Sequence, residues 1–209
     1  KIPYKEYLKY KRFWKNEEGK SIYKVLRIVP RSKGDFFNIE FIYKRDYIET
    51  TLDKDRSISV DIGVNNLMTV CDSSGATPFI INGRPLKSIN QYFNKENAKY
   101  SSKINKKDIK NSKKKRSLVN KRNSKIQDYM HKSSRYLIDY CLEHSIGKIV
   151  IGYNPGWKQE VNIGKVNNQS FVGIPFYSLI NMIEYKSELH GIEVEQVKES
   201  YTSKCSALD

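Results

Sequence analysis

Apolar and polar residues alternate in several short stretches before residue 85, and the period then changes. Residues 21–30 (SIYKVLRIVP) predict a strand ended by Pro30, and residues 36–43 (FFNIEFIY) predict a second. Turns are expected at Asn16–Gly19 and Arg31–Asp35, and residues 46–57 read as a polar, charged connector. Ile58 to Cys71 (ISVDIGVNNLMTVC) is the clearest pattern. It predicts a strand, a tight hairpin at Asn65-Asn66 and a return strand. A turn at Asp72-Ser73-Ser74-Gly75 leads to a third strand, Pro78 to Ile81, ending at Asn82-Gly83.

From about residue 86 to 144 the spacing becomes helical, with no proline, and Asn111-Ser112 divides it into a helical hairpin. Tyr129, Met130, Ser133, Tyr136, Leu137, Tyr140 and Cys141 recur at helical spacing and predict a core-facing side. Gly147 is expected to end the helix before a buried strand, KIVIGY. A Gly/Asn-rich loop follows, then a helix from Phe176 to His190 stopped by Gly191, then a strand over 192–197. The strand–helix–strand order predicts two parallel neighbours. Three strands in meander, a helical insertion, strand, helix and strand make an α/β chain of the ribonuclease H-like succession. Sites in such sheets form at the carboxyl ends of the strands.

Charge changes the picture most in the helical insertion. The chain carries 38 Lys and Arg against 23 Asp and Glu, a net +15. Between Lys95 and Arg135 there are 15 basic residues and three acidic ones, Glu96, Asp108 and Asp128. Like charges one turn apart destabilise a helix, so a polyanion is expected to offset them. Lys113, Lys114, Lys115, Arg116, Lys121, Arg122 and Lys125 are the candidate nucleic-acid contacts. Lys11 and Arg12, among Tyr4, Tyr7, Tyr10, Phe13 and Trp14, form a second candidate surface; a solvated strand face is the alternative there. The composition is also rich in Lys and Asn, which an AT-rich genome alone can produce.

Three widely spaced cysteines, Cys71, Cys141 and Cys205, form no C-x-x-C pair, which fits a reducing compartment and excludes a disulfide framework. No apolar run approaches 18 residues, so no membrane span is expected. His131 and His144 stand in no metal-ligand spacing and are read as surface or packing residues. The chain starts at Lys1 and stops at Asp209 without a closing helix, and is read as a piece of a longer protein.

Asp61 is the residue that asks most for an explanation. Asp is a poor strand former, and a buried unpaired carboxylate is costly. It therefore calls for a metal ion, a basic side chain or solvent. Gly63 would let a ligand or another backbone come close. Glu199, after the last predicted strand, would approach Asp61 at the sheet's carboxyl edge, and two converging carboxylates favour a divalent cation.

The stretch VDIGVNNL resembles the first motif of the RuvC-like nuclease domain of TnpB, the RNA-guided nuclease family of OrfB-type transposons related to type V CRISPR effectors. The resemblance runs from about residue 55 to 209, through Arg122-Asn123, DYMHKSSRY, IVIGYNPGWKQ and ESYTSKCS. It implies a wedge-domain β-barrel ending at residue 55 and a RuvC-like domain over 56–209, incomplete at its C-terminus. It also implies two Mg²⁺ ions, a guide RNA, a target DNA and a prokaryotic cytoplasmic, nucleoid-associated location. Two departures stand out. Gly152 occupies the place of the family's usual catalytic Glu, the nearest acid being Glu160, and the family's third acid lies beyond Asp209. The expected activity is Mg²⁺-dependent, RNA-guided DNA cleavage, with Asp61 and Glu199 as metal ligands and catalytic acids. The alternatives are a nuclease-inactive RNA-guided DNA-binding repressor and, last, a DDE-type transposase on the same fold.

Overall fold

The computed structural model describes residues 23–31, 36–43, 51–105, 112–153 and 173–198. Two compact units divide between Tyr47 and Ile48.

In the first unit, β1 (Tyr23–Arg31) pairs antiparallel with β2 (Phe36–Tyr43). Pro30 was expected to end β1, yet it sits inside it opposite Phe37. Among the described residues this ribbon has two strands, so both are edges, where proline is tolerated. Leu26, Ile28 and Phe37 are exposed.

The second unit is built on a five-stranded sheet of order β5-β4-β3-β6-β7. β3 (Asp53–Ile62), β4 (Asn66–Asp72) and β5 (Phe79–Asn82) form an antiparallel meander. β6 (Ile146–Gly152) and β7 (Glu193–Val197) run parallel to β3. Between the meander and β6 lie α1 (Arg84–Asn105) and α2 (Lys113–Glu143); α3 (Phe176–Glu188) joins β6 to β7. This mixed sheet with its helical insertion is the architecture expected from the order of periods.

One face of the sheet carries the core. Ile58, Val60 and Ile62 of β3, Met68 and Val70 of β4, and Ile149 and Ile151 of β6 are buried there. Leu137, Ile138 and Cys141 of α2 and Leu179, Ile180 and Ile183 of α3 belong to the same cluster. Each buried aliphatic side chain contributes about 1.5–3 kcal/mol. Burial in this apolar setting pushes the Cys141 thiol up to about 12, so it packs as an inert hydrophobe. Lys186 is buried with it: its Nζ donates to the His131 carbonyl at 2.8 Å and to Ser134 Oγ at 2.7 Å, tying α3 to α2.

Several boundaries differ from the sequence reading. Asp53–Ser57, expected in the connector, opens β3. Arg56 explains much of this, reaching the His144 carbonyl at 2.6 Å and pairing with Asp72 at 3.6 Å. Asp72 also accepts from the Ser74 N–H at 2.8 Å and from the Tyr140 hydroxyl at 3.3 Å. The Ser74 N–H holds its carboxyl below the usual range, with Arg56 and Tyr140 adding to the effect against burial. The hairpin turn closes one residue early, because Asn66 already belongs to β4 and pairs with Asn82. Gly147 does not stop α2. The helix ends at Glu143, and Ser145 takes the left-handed turn at φ 55°. Gly147 lies inside β6, where a Cβ would stand 2.5 Å from the Asp53 carbonyl oxygen. Its role is close approach of two strands. The last helix, expected to run to His190, ends at Glu188, and Leu189 beyond it is 36% exposed.

Candidate nuclease site and nucleic-acid interface

Alternation in β3 sends Ile58, Val60 and Ile62 to the core and Ser59 and Asp61 to the opposite face. Asp61 stands at the carboxyl end of the strand and is exposed. Its register partners are Thr69 on β4 and Gly152 on β6, and Gly152 in turn lies opposite Val197 on β7. Asp61, Gly152 and Val197 thus form one row across the parallel half of the sheet, with no side chain in its middle. Of the three partners open to Asp61, solvent is the one it meets. Among the described residues its carboxylate has neither a hydrogen-bond nor an ion-pair partner.

The turn after Asp61 is firmly held. Gly63 donates to the Leu67 carbonyl at 3.3 Å, and a Cβ on Gly63 would stand 2.8 Å from the Asn66 carbonyl oxygen. The close neighbour anticipated for Gly63 is therefore backbone. Asn65 accepts from the Gly83 N–H at 2.7 Å through its carbonyl and from Lys87 Nζ at 2.8 Å through Oδ1. Asn82 Oδ1 accepts from the Arg84 N–H at 2.9 Å, and the Tyr129 hydroxyl donates to the Asn82 carbonyl at 2.5 Å. Asn65, read as a hairpin residue, and Asn82, read as the end of the third strand, thus bind the Asp61 edge to α1 and α2. Such support is what keeps a reactive group in one geometry.

Glu199, Glu160, Lys11, Arg12 and Cys205 lie outside the described residues. Among the described residues no three His, Cys, Asp or Glu side chains gather into a metal-holding group.

The basic segment folds as the helical hairpin α1–α2. Ser112 caps α2, its side chain accepting from the Lys115 N–H at 3.2 Å. Lys113, Lys114, Lys121 and Lys125 are exposed, and Lys115 and Arg116 are half-buried. Lys114 Nζ lies 4.8 Å from the centre of the Tyr100 ring, and Lys115 Nζ donates to Ser101 Oγ at 3.1 Å. Arg122 is differently placed. Its Nε donates to Asn90 Oδ1 at 2.8 Å, one terminal nitrogen to Asn123 Oδ1 at 2.9 Å and the other to the Gly173 carbonyl at 2.5 Å. Burial lowers its pKa.

The probable-transposase family OrfB_IS605 matches residues 40–158, more than half of the chain. The chain belongs to this family. A second family, described as the Cas12f1-like TNB domain, matches residues 176–209. A TnpB-like protein of Methanocaldococcus jannaschii is 27% identical over 187 residues, covering 82% of this chain and 65% of its own. Two solved structures share the fold. One is a Cas12f1–sgRNA–target DNA complex, with TM-score 0.54, 16% identity, and coverage of 88% of this chain and 54% of that one. The other is a CRISPR-Cas12f ternary complex, with TM-score 0.58, 16% identity, and coverage of 100% and 42%. The chain therefore spans 65% of the length of the curated relative and about half that of the structural ones.

Within the OrfB_IS605 match lie β3 with Asp61, the α1–α2 hairpin and Gly152. Sequence reasoning placed Arg122 with the phosphate contacts, since it stands beside Lys121 in a strongly basic segment. Its partners identify it as a strut linking α1, α2 and Gly173. Removing it leaves the side chain of Asn90, 3% exposed, and the Gly173 carbonyl without their donor. Arg122→Ala is expected to cost about 2–4 kcal/mol of folding stability. Lys121→Ala and Lys125→Ala are each expected to stay within about 0.5 kcal/mol. Either lysine change should instead lower the salt slope of nucleic-acid binding by about one. Chemical denaturation and salt-titrated binding check the two halves. Equal melting of all three variants would mean that Arg122 does not act as a strut.

Proposed function

We propose that this chain is the RuvC-like part of an RNA-guided DNA endonuclease of the TnpB type. The observation that carries the reading is an exposed carboxylate, Asp61, without a partner among the described residues, in the central strand of the sheet and at its carboxyl edge. Such a group suits a hard cation. Mg²⁺ takes oxygen ligands from one or two carboxylates and keeps several waters. Asp61 and Glu199 would hold it, and when bound it supplies activation of water and charge stabilisation at a phosphodiester. Asp61 contributes negative charge at a position fixed by the Asn65–Gly83 and Asn65–Lys87 contacts. The lysines of α2 hold the backbone of a nucleic-acid duplex, while base pairing with a guide RNA supplies sequence choice. The likeness to Cas12f complexes containing sgRNA and target DNA supports both partners.

A second reading, a nuclease-inactive RNA-guided DNA-binding repressor, draws support from one observation. Gly152 lies directly opposite Asp61, where the TnpB resemblance leads one to expect a glutamate. The full-length protein loaded with its guide separates the two. The first reading expects target DNA cut in Mg²⁺ and left intact in EDTA. Target binding with no cleavage in either condition selects the repressor.

A further inference from the structure

The two basic helices enclose something that their charge alone does not announce. A cleft of about 570 Å³ runs between α1 and α2. That volume lies in the range of sites for small organic ligands. Its walls repeat in rungs. Tyr100 faces Lys114 at 4.8 Å, and Phe93 faces the Arg122 guanidinium at 5.7 Å. The spacing Ile89, Tyr92/Phe93, Glu96, Tyr100 on α1 and Lys114, Leu118, Lys121/Arg122, Lys125 on α2 is that of two facing helical stripes.

The cations over Phe93 and Tyr100 occupy faces of those rings. Tyr92 is different: it lines the cleft, is 63% exposed, and has no ring or hydrogen-bond partner among the described residues. Lys121 and Lys125 line the same cleft and carry no ion pair among the described residues. Glu96 is the one acidic residue of the lining, held 3.8 Å from Lys99. An open aromatic face, two free cations and one carboxylate form a set with a specific match. A duplex presents phosphates but hides its base faces, so it uses the lysines and leaves the ring idle. An unpaired nucleotide uses all three.

We propose that the α1–α2 cleft binds an unpaired nucleotide of a single strand. The base stacks on Tyr92, the flanking phosphates meet Lys121 and Lys125, and Glu96 accepts from an exocyclic amine. This rests on the reading of α2 as a nucleic-acid interface and deepens it from backbone contact to strand-state selection. Base–aromatic stacking tolerates every base. A carboxylate acceptor adds a preference for cytosine or adenine over thymine or uracil.

The test uses the full chain and fluorescein-labelled 12-nucleotide oligo(dC), oligo(dT), oligo(C), oligo(U) and a duplex of equal length. Anisotropy gives affinities, and quenching of 2-aminopurine placed in the single strand reports stacking. Tyr92→Ala is expected to weaken single-strand binding about tenfold or more and to abolish the quenching, with duplex affinity unchanged. Tyr92→Phe should restore both, because the platform and not the hydroxyl is required. Glu96→Gln should narrow the difference between oligo(dC) and oligo(dT). The ribose and deoxyribose probes tell which strand chemistry is preferred. The proposal is overturned if Tyr92→Ala leaves single-strand affinity unchanged, lowers duplex affinity equally, or is not rescued by phenylalanine. A wild-type chain that binds neither strands nor duplex overturns the interface reading as well.

Discussion

Asp61→Ala is expected to abolish Mg²⁺-dependent cleavage by the full-length protein while leaving its thermal stability unchanged. The two halves follow from one geometry. Asp61 is exposed and makes no hydrogen bond or ion pair with a described residue, so its removal takes away no such contact among the described residues. Asp is also among the residues least suited to a strand, and alanine in its place is no worse for β3. A carboxylate there with no contact among the described residues is open to a ligand from outside the fold. If that is a cation, the loss of negative charge removes a ligand with no neighbour able to replace it among the described residues. Losing a single group that stabilises transition-state charge already costs about 10²–10³-fold, and a metal ligand is expected to cost at least 10³-fold. Guided cleavage, target binding and a thermal melt measured on the same preparation give the answer. Cleavage at the wild-type rate removes Asp61 from the metal site, and a large drop in melting temperature would mean that the residue supports the fold instead.

What the sequence made legible was whatever rests on periodicity. Alternation located β3, where Ile58, Val60 and Ile62 are buried and Ser59 and Asp61 are exposed, while apolar runs between turn residues located β4 and β5. The change to helical spacing marked the insertion, and Asn111-Ser112 marked the break between its two helices, where Ser112 proves to be the cap of the second. Features that depend on a distant partner were hidden. Asp53–Ser57 looked like a connector because nothing in its polarity shows that β6 lies alongside or that Arg56 meets Asp72 from the end of β4. Gly147 looked like a helix stop because glycine serves both purposes, and only the approach of Asp53 distinguishes them. Arg122 was indistinguishable from its lysine neighbours in sign, yet differs in having a rigid planar fork that three acceptors can fill. Tyr92 carried a weak signal: aromatics at Tyr92/Phe93 and Tyr100, two turns apart inside a lysine-rich helix, overlooked while the charge drew the reading. Asp61 itself was legible as an anomaly, a carboxylate in the wrong kind of segment. Its neighbour across the sheet was not, since register between parallel strands joined by more than 80 residues leaves no local trace.

That register bears on the second acid. Glu199→Gln is expected to reduce cleavage by about 10³-fold or more while sparing target binding, and Glu160→Gln is expected to do neither. β6 lies between β3 and β7, so two strand spacings, about 10 Å, separate the strand of Asp61 from that of Val197. The middle position of the row is Gly152, which has no side chain to fill the interval. On the proposed reading an aspartate and the longer glutamate share one or two cations across such a gap. Val197 shares its row with Asp61, and Glu199 follows Val197 by two residues in the sequence. Glu160 follows Gly152 by eight residues and inherits no such relation from the sheet. Glutamine preserves the size of the side chain and removes the charge that a hard cation needs, so folding and target affinity act as internal controls. Mn²⁺ binding followed by electron paramagnetic resonance adds a readout independent of turnover, and it should weaken in Glu199→Gln alone. The opposite pattern, with Glu160→Gln inactive and Glu199→Gln active, would move the second ligand to the segment that follows β6 and leave Gly152 as the point where the chain turns away from the row.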